Sequence, residues 1–136
     1  MKTEIKHIAA IVATTIWADG EYDEAEKIAV GEIADAFELN TEDFAAAVEE
    51  ELAVIGPMDE EGVNNYILEH SAEVDEEEAE MLLQAVLQVV IVDGVFGEEE
   101  VENILSIASA LGINESRAVL MLADLVKDEP ELLVVI

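Results

Sequence analysis

Apolar residues in the first part of the chain recur every three or four positions, the spacing that places them on one face of an α-helix. Three such stripes are present, at positions 5, 8, 12 and 16, at 30, 33 and 37, and at 44, 48, 52 and 55. Each stripe predicts one amphipathic helix. No segment alternates with period two for long enough to predict a sheet.

The later part of the chain shows the same organisation. Residues 82–91 are apolar nearly all round, which predicts a helix at the buried centre of a bundle. Further helices are predicted near 98–111 and 115–127. The fold class is therefore all-α, a bundle of about seven helices.

Gly56 and Pro57 separate the two parts, and a connecting helix is predicted at 58–72. We expect one domain over residues 1–136. The apolar tail after Pro130 is expected to dock as a short helix or an apolar plug, because a strand there would lack a partner.

The two parts match when the chain is placed against itself with an offset of 74 residues. The stretch WADGEYDEAE at 17–26 then falls on IVDGVFGEEE at 91–100, and IADAFELN at 33–40 falls on IASALGIN at 107–114. The register holds without gaps. It predicts two related three-helix units, 5–55 and 79–127, neither of which can bury its apolar face alone.

Composition indicates a folded polyanion. Apolar residues make up 52% of the 136, enough for a sizeable core, while 34 acidic residues against 5 Lys and Arg give a formal net charge of -29. Such a surface repels nucleic-acid phosphates and attracts divalent cations and basic protein surfaces. We therefore expect no nucleic-acid partner, and either a basic protein partner or self-association.

Cysteine is absent, which excludes disulfides and thiolate metal sites. The longest apolar run, 82–92, is too short to span a bilayer. The first residues have the outline of a signal peptide, but Glu4 does not fit that outline and the same apolar pattern returns in mid-chain. We expect a cytoplasmic protein with no membrane span.

The acidic loop within WADGEYDEAE has a structural explanation. Gly20 suits the left-handed end of one helix, and Asp23 suits the N-cap of the next with Glu26 at the third helical position. Tyr22 fits the apolar staple of the same turn, and Glu24 lies where the helix dipole favours negative charge. The second copy places Gly97 at the cap position.

Asp19 and Asp93 are the repeated residues that this explanation leaves out, because each lies at a helix C-terminus, where the dipole disfavours an anion. Together with the acid seven positions later, they supply hard oxygen ligands suited to Ca²⁺, Mg²⁺ or Mn²⁺. The spacing is not that of an EF-hand. The candidate metal ligands are Asp19, Glu26, Asp93 and Glu100, with Glu21 and Asp23 as additional candidates. Helix capping without a metal remains the alternative.

The paired Asp-Gly units, each leading into an amphipathic helix, resemble the TerB-like family, named for a tellurite-resistance protein. The similarity covers roughly residues 5–127. It implies an all-helical, acidic, often cytoplasmic bacterial protein whose motif acids are candidates for binding metal. This chain departs from the motif at Tyr22 and Phe96, which replace the usual aliphatic residue.

Motifs of catalysis are missing. There is no phosphate-binding glycine loop, nucleophile elbow or H-E-x-x-H sequence, and Glu4 with His7 is the one Glu-x-x-His pair. His70 shares an apolar face with Val63 and Tyr66, which favours a core or interface histidine over a ligand. We expect a non-enzymatic accessory module that binds a divalent cation, or alternatively a protein-interaction or self-associating module with no specific metal site.

Overall fold

The computed structural model describes residues 3–19, 22–91, 95–96, 98–128 and 133–134, with the backbone alone at 19, 91, 95–96, 99, 125–128 and 133–134. This part of the chain contains seven α-helices, which confirms the predicted all-α class and helix number. The helices are α1 (Ile5–Asp19), α2 (Glu24–Ala36), α3 (Thr41–Ile55), α4 (Glu60–Ser71), α5 (Ala79–Ile91), α6 (Glu98–Ala110) and α7 (Glu115–Asp128). A 3-10 turn (Glu76–Glu78) precedes α5.

Short polar side chains fix where helices begin. The side chain of Asn40 accepts a hydrogen bond of 2.9 Å from the backbone N–H of Asp43 at the start of α3, and Asp59 accepts one of 2.8 Å from Gly62 at the start of α4. Each bond satisfies one of the backbone donors that the first turn of a helix leaves without a partner. The connecting helix is thus Glu60–Ser71, slightly shorter than the predicted 58–72.

α2 and α6 end in the same way. After α2, Glu38 adopts a positive φ of 58°, and the N–H of Leu39 donates to the carbonyl of Ala34. After α6, Gly112 has a φ of 78°, and the N–H of Ile113 donates to Ala108. Both are Schellman ends, in which a left-handed residue lets the chain satisfy the last helical carbonyls. Glu38 shows that this geometry is adopted even without glycine.

α1 lies at the centre of the bundle. All nine residues from Ile8 to Ile16 are buried, and α1 packs against α3, α4, α5 and α6. Its two polar members are satisfied internally, since the hydroxyls of Thr14 and Thr15 donate to the carbonyl of Ile11 at 2.7 and 3.4 Å. Burial therefore leaves no hydroxyl of this helix without a hydrogen bond.

The prediction that residues 82–91 form the central helix is wrong. α5 is largely buried, but Met81, Gln84 and Gln88 are exposed. Gln84 and Gln88 are four residues apart, so they lie on one face of the helix, and that face is turned to water. The spacing of the two glutamines was the signal in the sequence that distinguishes α5 from α1.

Helices α5, α6 and α7 begin 74 residues after α1, α2 and α3, the offset found in the sequence. Their packing is not equivalent. α3 packs along α1, whereas α7 packs on α6 and faces α5 across a groove of about 540 Å³. The shared spacing is thus a property of the local structure, while the two halves occupy different environments.

The expectation for the C-terminal tail is wrong as well. Residues Leu133–Val134 form a short strand, β2, which pairs in parallel with β1 (Val95–Phe96). The partner that the sequence analysis did not find is the segment just before α6. Backbone N–H and C=O groups outside helices need hydrogen-bond partners, and the pairing of β1 with β2 supplies them. The chain between the two parallel strands consists of α6 and α7.

Among the helices in the described part of the chain, none has both the length and the apolar content needed to cross a membrane.

Replacing Ile11, which is 0% exposed on α1, by alanine is expected to lower the free energy of unfolding by about 2–5 kcal/mol, because it opens a cavity in the centre of the core. The matched control is Ile28→Ala on α2, where the side chain is 63% exposed. That change is expected to stay within about 0.5 kcal/mol of the native protein. Urea denaturation followed by circular dichroism measures both, and equal losses would contradict the central position of α1.

Candidate functional site

Asp23 caps α2, as the sequence predicts. Its backbone is extended, with φ -90° and ψ -177°, and its Oδ1 accepts a hydrogen bond of 3.1 Å from the backbone N–H of Glu26. The side chain of Asp23 is exposed. One of its carboxylate oxygens is thus engaged in holding the first turn of the helix.

Glu26 and Glu100 are buried, at 2% and 8% exposure. Among the acidic side chains that the structure describes, these are the only two that are buried. Both occupy the third position of a helix that follows an Asp-Gly motif, and both were predicted as metal ligands. Their neighbours Glu24 and Glu98, at the first position of the same helices, are exposed. At the start of each of these two helices, one described glutamate is therefore buried and another is exposed.

Tyr22 packs against the core beside the first loop, where the sequence predicts an apolar staple. Burial raises the pKa of the Tyr22 phenol, and the charges of Glu49 and Glu26 raise it further. The ammonium of Lys27 lies 5.6 Å from the centre of the Tyr22 ring, within the range of a cation–π contact. The phenol therefore stays neutral and acts as packing for the loop.

The full set of predicted ligands is only partly described. Asp93 and Glu21 lie outside the described residues, and of Asp19 the backbone alone is described, as the last residue of α1. Within the described part of the chain, no three His, Asp or Glu side chains are grouped so as to hold a metal ion. The four-carboxylate site therefore stays a prediction.

An acidic cleft of about 700 Å³ opens beside the C-terminal end of α1. It is lined by Trp17 and Ala18 at the end of α1, by the first turn of α4, and by the first half of α6. Three of its lining residues are acidic, namely Glu60, Glu98 and Glu102. The fold thus brings the end of α1, just before Asp19, to the helix that carries Glu100.

Asn103 adds a neutral oxygen to this cleft. Its Oδ1 is buried and has no hydrogen-bond partner among the residues that the structure describes. A buried amide oxygen without a donor is costly, and a cation or an ordered water would satisfy it. Sequence analysis missed Asn103, although a polar residue between Val101 and Ile104 on an otherwise apolar helix face was the available signal. It also missed Glu98 and Glu102, which are four residues apart and so share one face.

The sequence model of the family described as "Tellurite resistance protein TerB" matches residues 6–123. The chain belongs to the TerB family. The matched segment contains both Asp-Gly motifs, the connecting helix α4 and the acidic cleft, so each candidate feature lies inside the family region. No curated protein and no solved structure matches the chain significantly.

Replacing Asp23 by alanine is expected to lower the free energy of unfolding by about 0.5–2 kcal/mol, because the first turn of α2 loses its cap. Asp23→Ser keeps a side-chain oxygen acceptor and is expected to recover most of the loss. Thermal or urea unfolding measures both changes. If Asp23→Ser destabilises the protein as much as Asp23→Ala, the carboxylate charge, and not the hydrogen bond, is what stabilises the loop.

Proposed function

We propose that this TerB-family protein is a non-catalytic accessory module that binds a hard divalent cation, Ca²⁺, Mg²⁺ or Mn²⁺, at its Asp-Gly loops. The proposed ligands are the four motif acids, Asp19, Glu26, Asp93 and Glu100. The family description links such modules to tellurite resistance, and a cation-dependent accessory role in that response is the function we infer.

The burial of Glu26 and Glu100 carries the proposal. Burying a carboxylate costs free energy. This protein buries the glutamate at the third helical position after each Asp-Gly pair, while Glu24 and Glu98 at the first position stay exposed. Carboxylate oxygen is the ligand that hard divalent cations prefer, so these two positions are suited to hold one.

Two related units support the same proposal. The equal spacing of the helix starts and the equivalent ends of α2 and α6 are what two copies of one three-helix unit would produce. On this basis we infer that each unit supplies one Asp and one Glu. Asp23, one of whose oxygens is engaged by the cap, and Glu21 remain additional candidate ligands.

The acidic cleft offers further oxygen atoms close to the C-terminal end of α1. Glu98 and Glu102 border it, and the buried Oδ1 of Asn103 receives no hydrogen bond from the described part of the chain. A hydrated cation held by the loop acids is proposed to use these groups through water, as Mg²⁺ commonly keeps several waters.

The decisive variants are Glu26→Gln/Glu100→Gln, compared with Glu24→Gln/Glu98→Gln. Both double variants remove two charges from the same two helix starts, but only the first pair is buried. Calorimetric titration with Mn²⁺, Mg²⁺ and Ca²⁺ in excess monovalent salt is expected to show saturable binding for the native protein and for the exposed pair. The buried pair is expected to lose it.

Excess salt is essential because a polyanion also condenses cations without a specific site. Asp19→Asn/Asp93→Asn provides an independent check on the other two ligands. If the Glu26→Gln/Glu100→Gln and Glu24→Gln/Glu98→Gln variants titrate alike with every cation, the ions are held by the overall negative charge and the proposed site does not exist.

A protein-interaction module is the second candidate, favoured by a groove of about 740 Å³ between α4, α6 and the start of α7. Among the described residues that line it, Glu115 alone is charged, and Leu68 at its edge is 58% exposed. An apolar groove in an acidic surface suits a basic protein partner. Such a partner would place an apolar side chain in the groove and its Lys or Arg side chains against the surrounding carboxylates.

Leu68→Glu is expected to abolish capture of a lysine-rich amphipathic helical peptide at moderate salt, because it puts a charge at the edge of the apolar groove. Val54→Glu is the control, since Val54 is also exposed but lies on α3, away from the groove. Fluorescence anisotropy measures binding of the peptide and of a scrambled peptide of equal charge. Equal binding of the two peptides would show that charge alone attracts them.

A further inference from the structure

The only two histidines of the chain meet in the structure. His7 is on α1 and His70 is on α4, 63 residues apart, and their Nδ1 atoms are separated by 2.9 Å. Both side chains are mostly buried, with 15% and 12% exposure. The carboxylate loops proposed above as cation sites involve neither residue. This pair therefore forms a separate cluster with a different chemistry.

Each ring has a carboxylate near its other nitrogen. Nε2 of His7 lies 4.0 Å from Oε2 of Glu4, and Nε2 of His70 lies 3.8 Å from Oε1 of Glu51. A neutral imidazole carries its proton on one nitrogen, and a facing carboxylate favours the tautomer with the proton on Nε2. In that tautomer Nδ1 presents a lone pair. With both rings in that tautomer, the two Nδ1 lone pairs would face each other and a cation between them would be favourable, whereas with one ring in the other tautomer the contact is an Nδ1–H···Nδ1 hydrogen bond.

Glu51 is itself held in place behind His70. The hydroxyl of Tyr66 donates a hydrogen bond of 2.7 Å to Oε1 of Glu51, and the Tyr66 ring packs against the His70 ring with centroids 4.4 Å apart. A carboxylate behind a histidine, fixed by its own hydrogen bond, is the usual support of a metal-bound imidazole. The three groups come from α3 and α4, which are regular helices and hold them firmly.

The distance of 2.9 Å between the two Nδ1 atoms suits a shared ion. Two nitrogens bound at about 2.1 Å to one ion, at a right angle, lie about 3 Å apart. Imidazole nitrogen is preferred by Zn²⁺, Ni²⁺ and Cu²⁺ and much less by Ca²⁺ or Mg²⁺. The proposed site requires both side chains to turn so that the two Nδ1 lone pairs point to one ion. The remaining coordination positions would be filled by water.

Burial and the nearby carboxylates act in opposite directions on the pKa of the His70 imidazole. Burial lowers the pKa of the His70 imidazole most strongly, the charge of Glu51 acts in the opposite direction, and His7 and Lys6 lower it further. Glu69 is a smaller influence that raises it.

We propose that His7 and His70 form a site for one divalent transition-metal ion that prefers imidazole, with Nδ1 of each ring as ligand and Glu4 and Glu51 behind the rings. The site goes beyond the proposed function, since it takes a different class of ion at different residues. It ties α1, the central helix, to α3 and α4.

The test uses the full-length protein, one equivalent of Cu²⁺ and excess Mg²⁺ to occupy the carboxylates. Electron paramagnetic resonance is expected to show splitting from two equivalent imidazole nitrogens in the native protein. His7→Gln and His70→Gln are each expected to reduce that splitting to one nitrogen and to weaken binding at least tenfold. Circular dichroism checks that each variant is folded.

Glu51→Gln tests the support of His70 without removing a ligand. It is expected to weaken Zn²⁺ binding, measured by calorimetry in excess Mg²⁺, by about 10–100-fold. Glu50→Gln, at the neighbouring exposed position, is the matched control and is expected to bind as the native protein does. Asp19→Asn/Asp93→Asn is also expected to leave this binding unchanged, which separates the histidine site from the loop sites.

A native spectrum with oxygen ligands alone, or with the same nitrogen splitting in both histidine variants, would overturn the proposal. In the first case the two Nδ1 atoms share a proton and bind no metal ion, so His7 and His70 form a hydrogen bond that joins α1 to α4. In the second case the copper is held elsewhere on the chain.

Discussion

The complete burial of one helix is the constraint on which the rest of this structure depends. From Ile8 to Ile16 every side chain of α1 is removed from water, so the other helices must supply apolar surface on all sides of it. The two threonines in this stretch are tolerated because their hydroxyls bond to the carbonyl of Ile11. The acidic cleft and the histidine pair both depend on this placement, since α1 ends beside the cleft and carries His7 in its first turn against α4.

Electrostatics acts on this core from outside. A formal charge of -29 opposes compaction, and nearly all the described carboxylates are solvated, where water and salt screen their repulsion. Glu26 and Glu100 are the departures from that arrangement. Any cation that binds the native state preferentially stabilises it, so cation binding and folding are linked in a protein of this charge. Membership of the TerB family places these features in a family described by tellurite resistance.

Much of the local structure was predictable from the sequence. The three-to-four-residue spacing located all seven helices, and Asp23 was correctly assigned as a cap because its bond to Glu26 spans only three residues. The errors concern what lies far away in sequence. The centre of the bundle was assigned to 82–91 instead of α1. The tail was expected to be a short helix or an apolar plug because its partner, Val95–Phe96, is separated from it by two helices.

The sequence by itself determined the helix positions, their caps and the motif acids, because hydrogen bonds and periodicity within a helix act over a few residues. It also contains the 74-residue offset that the helix starts reproduce. Only the tertiary structure decided that Glu26 is buried while Glu24 is exposed, and that His7 lies 2.9 Å from His70 across 63 residues of chain. Burial and contact between helices depend on how distant segments pack, and the spacing within one segment does not specify that.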